Sequence, residues 1–215
     1  MKRFILFTII LLIFLSACKK DDVDPLINQL NGTSFTQLNI GNYWVYQNYS
    51  YSDSFDSEIV SPFLDTISIV RDTMVRGKIY FIFEQTNHLF NRGNQIHQIV
   101  RDSSDYLIDL NGEILFSSTN FTDTFKQEIV YHKGSDSTAR RLTKMFESEI
   151  IRVPYGNVEA LFFSEGLYFD KVINNVIAQY YYSHYTAGIG KAKYPLKETL
   201  NERYYFRRLV KFKVK

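Results

Sequence analysis

Two carboxylates near the middle of the chain, Glu147 and Glu149, have a spacing that could support acid–base chemistry. Side chains two residues apart on a strand lie on one face at about 7 Å. That separation overlaps the one that inverting glycosidases use for their acid and base. Paired carboxylates are also common on the solvent-exposed face of a strand, and no Gly-x-Ser-x-Gly nucleophile motif accompanies this pair. The sequence therefore predicts no catalytic residues, and an enzyme whose site a single sequence does not reveal stays an alternative.

Metal and nucleotide motifs are also incomplete. The histidines lack the His-x-His or His-Glu-x-x-His spacing of metal ligands: His88, His97, His132 and His184. Gly188 and Gly190 resemble part of a dinucleotide fingerprint, but Lys191-Ala192-Lys193 follows where a third glycine should open a helix. We predict a turn between strands at these glycines, no metal site and no cofactor.

The N-terminal segment has the parts of an export signal. Lys2 and Arg3 are basic, Phe4 to Phe14 is apolar apart from Thr8, and Ser16-Ala17 supplies the small residues that a signal peptidase requires. The apolar run is shorter than the roughly 20 residues that span a bilayer as a helix. Residues 1–17 are therefore predicted to be a signal peptide.

The block Leu15-Ser16-Ala17-Cys18 resembles the lipobox of bacterial lipoproteins. The resemblance implies cleavage between Ala17 and Cys18, attachment of a diacylglycerol to the sulfur of Cys18, and acylation, typically by palmitate, of the new amino terminus. Cys18 is the only cysteine of the chain, so its lipidation leaves none for a disulfide. The fold must then be stabilised by its core alone.

Charge and composition divide the remainder of the chain. The formal net charge is +2, which Lys2 and Arg3 supply, so the mature chain is neutral and lacks the basic surface that nucleic acid requires. Residues 18–36 contain few apolar groups and are predicted to form a flexible tether after the lipidated cysteine. Residues 37–215 are long enough for one domain with a sizeable core.

The tether begins with Cys18-Lys19-Lys20-Asp21-Asp22. A lysine followed by two acids resembles the signal that directs Bacteroidota lipoproteins to the outer face of the outer membrane. This resemblance implies a lipid-anchored protein exposed at the cell surface. A periplasm-facing position is the alternative, because charged runs are common in any solvated linker.

The rest of the sequence predicts β structure. Sixteen Tyr and eighteen Phe accompany abundant Ile, Val and Thr, which favour strands. Asp65 to Arg71 alternates as a half-buried strand does, Arg76-Gly77 predicts a turn, and Ile79 to Phe83 is apolar on both faces. Asn111-Gly112 predicts a second hairpin with a type I′ turn. Further strands are predicted at 96–101, 106–110, 113–116, 125–131, 145–153, 158–164, 178–185 and 204–214.

Two strands need comment. Thr143 to Ile151 has residues that tolerate a helix, but the turn-forming Pro154-Tyr155-Gly156-Asn157 favours a strand. The last strand places its lysines, Lys211, Lys213 and Lys215, on one face, which predicts a position at or near a sheet edge. The fold class is all-β: one antiparallel domain whose curved sheet forms an open barrel or a sandwich.

The order of four short motifs resembles a group of uncharacterised Bacteroidota-type envelope lipoproteins. The motifs are Gly41-Asn42-Tyr43-Trp44-Val45-Tyr46, Asp65-Thr66 with Gly77 and Tyr80, Val153-Pro154-Tyr155-Gly156-Asn157-Val158, and Tyr185-Thr186-Ala187-Gly188-Ile189-Gly190-Lys191. The third motif departs from the group, whose members have Gly-Thr-Phe there. The resemblance implies a curved antiparallel β domain, without any catalytic residue to transfer.

Three functions fit these features. The first is a non-catalytic module that binds a glycan, a peptide or an envelope protein through exposed members of a tyrosine set: Tyr43, Tyr46, Tyr49 and Tyr51. Trp44 is predicted to be a core anchor, with a sugar-stacking platform as the alternative. The second function is a carrier of lipid or another apolar ligand inside an open barrel. The third is an enzyme with an unrecognised site.

Asp-Thr and Asp-Ser pairs add a modification hypothesis. Asp72-Thr73-Met74 and Asp136-Ser137-Thr138 resemble the sequon at which Bacteroidota envelope proteins receive O-glycans. Thr73 and Ser137, in predicted loops, are the candidate O-glycosylation sites. Such pairs also favour turns through local hydrogen bonds, which is the alternative explanation.

Overall fold

A computed structural model describes residues 34–52, 57–89, 92–131, 138–173, 176–200 and 203–215. All of them belong to one compact unit. Their strands are β1 (Tyr43–Ser52), β2 (Ser57–Val75), β3 (Lys78–Thr86), β4 (Asn94–Ser103), β5 (Tyr106–Asp109), β6 (Ile114–Ser117), β7 (Lys126–Tyr131), β8 (Thr138–Val153), β9 (Gly156–Ile173), β10 (Val176–Thr186), β11 (Gly190–Leu200) and β12 (Arg203–Lys213). The described residues thus form an all-β domain, as the sequence predicts.

These strands form one antiparallel sheet in the order β6-β5-β4-β3-β2-β1-β12-β11-β10-β9-β8-β7. One meander runs from β1 to β6, a second from β7 to β12, and the pairing of β1 with β12 joins them. Because β6 and β7 lie at opposite ends of this order, the connection between them must cross from one edge of the sheet to the other.

The sheet is curved into a nearly closed barrel, because side chains near its two edges contact each other. Lys126 Nζ at the start of β7 lies 2.7 Å from Glu113 Oε1, just before β6. Phe125 packs edge to face on Tyr106 of β5, with ring centroids 6.2 Å apart. The same ring stacks on Phe163 of β9 at 6.4 Å. Of the two architectures predicted, the structure is therefore the barrel.

The turns confirm the predicted hairpins but correct one turn type. Arg76 and Gly77, with φ of 51° and 74°, form the two-residue turn with both central residues at positive φ. The type I′ prediction at Asn111-Gly112 is wrong, because only Gly112 has positive φ, 87°. Here the Asp109 carboxylate accepts the N–H groups of Asn111 and Glu113, each at 2.8 Å, and so holds a longer loop. Residues 143–151 lie within strand β8, so the helical alternative is excluded.

The C-terminal strand is not at an edge, contrary to the sequence prediction. β12 pairs with β1 on one side and β11 on the other, near the centre of the sheet. Lys211, Lys213 and Lys215 are exposed as predicted. A charged face shows only that one side of a strand meets water, whereas an edge is defined by unpaired backbone groups.

Trp44 is a core residue, as predicted, and not a sugar platform. It is buried, its Nε1 donates to the Ile189 carbonyl at 2.6 Å, and its ring stacks on Phe83 at 6.0 Å.

The last residues assigned to the tether also contact the barrel: Gly188 N donates to Ser34 O at 3.0 Å, and the Phe35 ring lies 5.5 Å from that of Phe116. Within the described ranges, no helix is long and apolar enough to cross a membrane.

Candidate functional site

A buried ion pair inside the barrel fixes one wall of the candidate site. Arg207 and Asp65 are fully buried, and Arg207 Nη2 lies 2.6 Å from Asp65 Oδ2. The guanidinium also donates to Asn48 Oδ1 at 2.9 Å, to Gln85 Oε1 at 2.8 Å and to the Tyr194 hydroxyl at 3.0 Å. Because every group has a partner, the network offsets the desolvation of both charges and holds Tyr194 in place.

Tyr194 forms part of the wall of an inner cavity of about 430 Å³. Residues of β4, β6, β7, β8, β9, β10 and β11 line this cavity, so it lies inside the barrel. Its aromatic lining residues are Phe163, Tyr181, Tyr185 and Tyr194, and its titratable ones include His97, Glu113, Lys126, Arg141, Glu165 and Lys191. The volume falls in the range of small-ligand sites, about 300–1,000 Å³.

The charges of the inner cavity are held in fixed positions. Arg141 contacts Glu165 through Nε and Glu128 through Nη1, each at 3.2 Å. Lys191 Nζ lies over two rings, 5.2 Å from the centroid of Tyr185 and 5.0 Å from that of Tyr194. A cation over an aromatic face is stabilised by the negative potential of the ring.

Burial determines the protonation of the lining residues. Burial, with Lys191 and Arg207 nearby, lowers the pKa of His97 to about 3, so this imidazole is neutral at physiological pH. Burial raises the pKa values of Tyr181, Tyr185 and Tyr194 above that of free tyrosine. The phenols therefore stay protonated and can donate or accept hydrogen bonds.

A β-bulge separates two lysines that sequence alternation would place together. Tyr185 pairs with Lys191, and His184 pairs with Lys193, so Ala192 is the extra residue of β11. Directly paired residues share a face of the sheet. Lys191 therefore lies on the same face as Tyr185, and Lys193 lies on the other face with His184. Lys191 accordingly lines the inner cavity, whereas Lys193 lines a separate groove.

This second site, here called the tyrosine groove, has a volume of about 450 Å³. β1, β2, β10, β11 and β12 contribute to it. Six tyrosines and one phenylalanine line it: Tyr51, Tyr181, Tyr182, Tyr194, Tyr204, Tyr205 and Phe206. The charged residues Glu58, Lys193 and Arg208 also line it. Tyr181 and Tyr194 are common to the groove and the inner cavity.

Arg208 orders one side of the tyrosine groove. It donates two hydrogen bonds to Glu58, at 3.0 and 2.6 Å, in a bidentate pair. Its guanidinium lies 4.6 Å from the ring centroid of Tyr49 and 4.9 Å from that of Phe206, and these two rings stack at 5.3 Å. Burial and the neighbouring Arg208 lower the pKa of Lys193. The groove therefore joins aromatic rings to a positively charged side.

The structure divides the predicted tyrosine face. Tyr46 is 2% exposed and donates to the Lys191 carbonyl at 2.8 Å, so it is a core residue and not part of an exposed face. Tyr49 is 9% exposed beneath Arg208. Tyr43 and Tyr51 are half-buried, and of the four only Tyr51 lines the tyrosine groove. Alternation along β1 explains this division, because Tyr46 shares the buried face of Trp44, whereas Tyr43, Tyr49 and Tyr51 lie on the other face.

The other predicted residues are dispersed. Thr73 lies half-buried on strand β2, opposite Tyr80, and not in a loop as predicted. Ala17, Cys18, His132 and Ser137 lie outside the described residues. A bulge at Glu147 breaks the predicted alternation with Glu149, whose Oε1 lies instead 2.7 Å from His184 Nε2. Burial lowers the pKa of His184.

Among the residues that the structure describes, no three His, Cys, Asp or Glu side chains are grouped so that they could hold a metal ion.

Sequence reasoning did not find Lys191, Lys193, Tyr194 or Arg207 as site residues. The available signals were the aromatic pairs around residues 181–185 and 204–206 in two predicted strands. Only the sheet order brings these two segments to one groove.

No family model matches the chain, and no curated protein matches it. Its fold is similar to the crystal structure of a "putative lipoprotein" from Parabacteroides distasonis, with 12% identity, a TM-score of 0.45, and coverage of 85% of this chain and 100% of that one. It is also similar to a "putative exported protein with YmcC-like fold" from Bacteroides fragilis, with 10% identity, a TM-score of 0.39, and coverage of 81% and 96%.

Proposed function

We propose that the protein is a lipoprotein anchored through Cys18 at the outer face of the outer membrane, and that its barrel is a non-catalytic module that binds an envelope glycan in the tyrosine groove. The lipobox and the tether sequence support the anchored location. The concentration of aromatic side chains in one groove supports the binding role.

The observation that carries the proposal is the combination of six tyrosines with Glu58, Lys193 and Arg208 along one groove. Aromatic rings offer flat apolar surface, and phenol hydroxyls offer hydrogen bonds, which together match the faces and edges of a sugar ring. Tyrosine also loses little conformational entropy on binding. Tyr182 is 41% exposed, so a ligand can reach its ring directly.

Binding of the full chain, purified in detergent, to an array of neutral and acidic oligosaccharides tests the proposal. Tyr51→Ala and Tyr182→Ala should each weaken binding of the best oligosaccharide by roughly tenfold or more. Tyr43→Ala is the matched control, because Tyr43 is half-buried on the same strand as Tyr51 but does not line the groove. The Tyr43→Ala variant should bind the same oligosaccharide with an affinity within about twofold of that of the unaltered protein.

Two results contradict this assignment. One is that no oligosaccharide binds. The other is that the groove variants, with unchanged far-ultraviolet circular dichroism, bind as tightly as the Tyr43→Ala control.

Location is tested separately by protease treatment of intact cells. Full protection of the barrel would exclude surface display, and the mass of the mature protein would reveal any O-glycan.

The lipid-carrier alternative draws less support from the cavity lining. Five charged side chains line the inner cavity: Glu113, Lys126, Arg141, Glu165 and Lys191. An acyl chain placed there would desolvate these groups without satisfying them. Native mass spectrometry of the detergent-exchanged protein checks this alternative, and a co-purifying lipid would favour the carrier over the glycan-binding module.

A further inference from the structure

The barrel wall has a gap between β10 and β11. Among the described residues, these strands pair only next to the turn that joins them, through His184–Lys193, Tyr185–Lys191 and Thr186–Gly190. Farther from the turn, residues 181–183 of β10 pair with β9 and residues 194–196 of β11 pair with β12. No described pairing joins these two segments to each other. The two strands therefore diverge as they leave the turn.

Pro195 accounts for part of this divergence. Proline has no backbone N–H, so β11 cannot donate a ladder hydrogen bond at this position, and proline within a sheet is confined to edges and bulges. On its other side, Pro195 is opposite Phe206 of β12. β11 is thus paired toward β12 and is locally an edge toward β10.

The gap connects the inner cavity with the tyrosine groove. Four residues line both spaces: Tyr181, Tyr194, Pro195 and Leu196. All four lie on the diverging parts of β10 and β11. A side chain of a closed sheet faces one side only, so residues that line both spaces mark a place where the sheet is open.

Ion pairs already compensate charges that line the inner cavity. Lys126 contacts Glu113 at 2.7 Å and Glu128 at 3.6 Å. Arg141 contacts Glu128 and Glu165, each at 3.2 Å. A charged group placed beside these pairs would lose its hydration without gaining a free counter-ion. The cavity is therefore suited to an uncharged ligand.

The lining also offers groups for hydroxyl partners. Thr143 is 5% exposed and lines the cavity, and its Oγ1 has no hydrogen-bond partner among the described residues. Buried hydroxyls in folded proteins nearly always have a partner, so this group needs one from a water or a ligand. Gln98 and Ser183 line the same cavity with further donors and acceptors, and Phe163 and Tyr185 supply aromatic rings.

We propose that the inner cavity and the tyrosine groove form one continuous site, in which a glycan bound along the groove places an uncharged terminal sugar through the gap into the cavity. This inference rests on the proposed glycan-binding role of the groove and adds that a free chain end is recognised. The cavity of about 430 Å³ has room for roughly a dozen water-sized groups at about 30 Å³ each, which matches the non-hydrogen atoms of one hexose. A hydroxyl of that hexose would supply the partner of Thr143 Oγ1.

Calorimetric titration of the full chain in detergent with maltohexaose, cellohexaose and chitohexaose tests this assignment. Each hexasaccharide is also titrated with its non-reducing end blocked by a benzylidene acetal, and separately with its reducing end coupled to a bulky fluorophore. At least one free hexasaccharide should bind. Blocking one of its ends should weaken binding by about tenfold or more, because that end no longer enters the cavity, and blocking the other should change the affinity by less than about twofold.

Variants inside the cavity test the same point. Thr143→Val should weaken binding of that hexasaccharide by about fivefold or more, the effect of one lost hydrogen bond. Ser183→Phe should also weaken it, because Ser183 lines the cavity but not the groove. Thr186→Val is the matched control: the Thr186 hydroxyl is likewise buried without a partner among the described residues, but Thr186 lines neither space. It should bind as the unaltered protein does.

Three results would overturn the inference: no free hexasaccharide binds, neither end block weakens binding, or folded Thr143→Val and Ser183→Phe both bind as tightly as Thr186→Val. The proposed function fails in a different way. If oligosaccharides bind and depend on Tyr51 and Tyr182 but not on the cavity variants, the groove is a glycan site without an inserted sugar. If Tyr51→Ala and Tyr182→Ala leave all binding unchanged, the groove itself is not the site.

Discussion

Replacement of Asp65 by asparagine should destabilise the barrel far more than loss of a similar carboxylate at the surface. Asp65 is fully buried and accepts three hydrogen bonds, from Arg207 Nη2 at 2.6 Å, Asn48 Nδ2 at 2.7 Å and the His88 backbone N–H at 2.7 Å. Asparagine has nearly the same shape, so the substitution removes charge without creating a cavity. It leaves the Arg207 guanidinium buried without a counter-ion.

The expected loss is about 3–5 kcal/mol in the free energy of unfolding, the usual cost of removing one member of a buried ion pair. An independent estimate agrees, because two unit charges about 4 Å apart interact by about 4 kcal/mol at an effective dielectric constant near 20. The structure supplies a matched control in the bidentate pair Glu58–Arg208, with contacts of 3.0 and 2.6 Å. Its side chains are 42% and 22% exposed, so Glu58→Gln should cost only about 0.2–1 kcal/mol.

Urea unfolding of the full chain in detergent measures both losses, with fluorescence of the buried Trp44, the only tryptophan, as the signal. The dependence of free energy on urea should be the same in all variants, so that midpoints compare stability directly. High salt should reduce the effect of Glu58→Gln and leave that of Asp65→Asn nearly unchanged, since buried pairs are poorly screened. If Asp65→Asn costs no more than Glu58→Gln, burial does not determine the strength of these pairs and the reasoning is wrong.

Three further predictions concern the inside of the barrel. Burial lowers the pKa of His97 from 6.5 to about 3 in the folded protein, so unfolding takes up a proton below pH 6.5. From pH 6.5 to pH 5 the protein should therefore lose about 1.6 kcal/mol of stability that a His97→Gln variant retains, as measured by urea unfolding at both pH values. Gly190→Ala should lower the free energy of unfolding by about 1–3 kcal/mol, because its φ is +98° and the new Cβ would lie 3.4 Å from Trp44 Nε1. Gly93→Ala is the control: its φ is +62° but no atom of the described residues lies within 4 Å of the new Cβ, so it should cost about 1 kcal/mol. Tyr46→Phe should cost about 1–2 kcal/mol in the same assay, because the part-buried hydrogen bond from its hydroxyl to the Lys191 carbonyl is lost, and a neutral result would contradict that hydrogen bond.

Sequence reasoning was most reliable where local residues determine local structure. Alternation in residues 65–71 predicted part of β2, the apolar run 79–83 predicted β3, and Pro154-Tyr155 predicted the turn between β8 and β9. Each of these signals depends on residues adjacent in the chain, because strand period and turn chemistry are properties of short segments. The all-β class followed from the same signals.

The pairing order of the strands was beyond that reasoning. β12 pairs with β1 across more than 150 residues of chain, so it lies near the centre of the sheet although its lysine-rich face favoured an edge. The buried pair of Asp65 and Arg207 is another product of this pairing, since neither residue stands near the other in sequence. In isolation each resembles an ordinary surface charge.

The sequence by itself determined the β class and most strands and turns, and its resemblance to export and lipidation signals is the basis for the predicted location. Tertiary structure decided the candidate sites, because single extra residues reverse the side of the sheet that the following residues face. The bulge at Ala192 directs Lys191 into the barrel and Lys193 to the tyrosine groove, although alternation alone places both on one face. Bulges form where two paired strands must accommodate curvature, and that depends on the whole barrel and not on the residues of one strand.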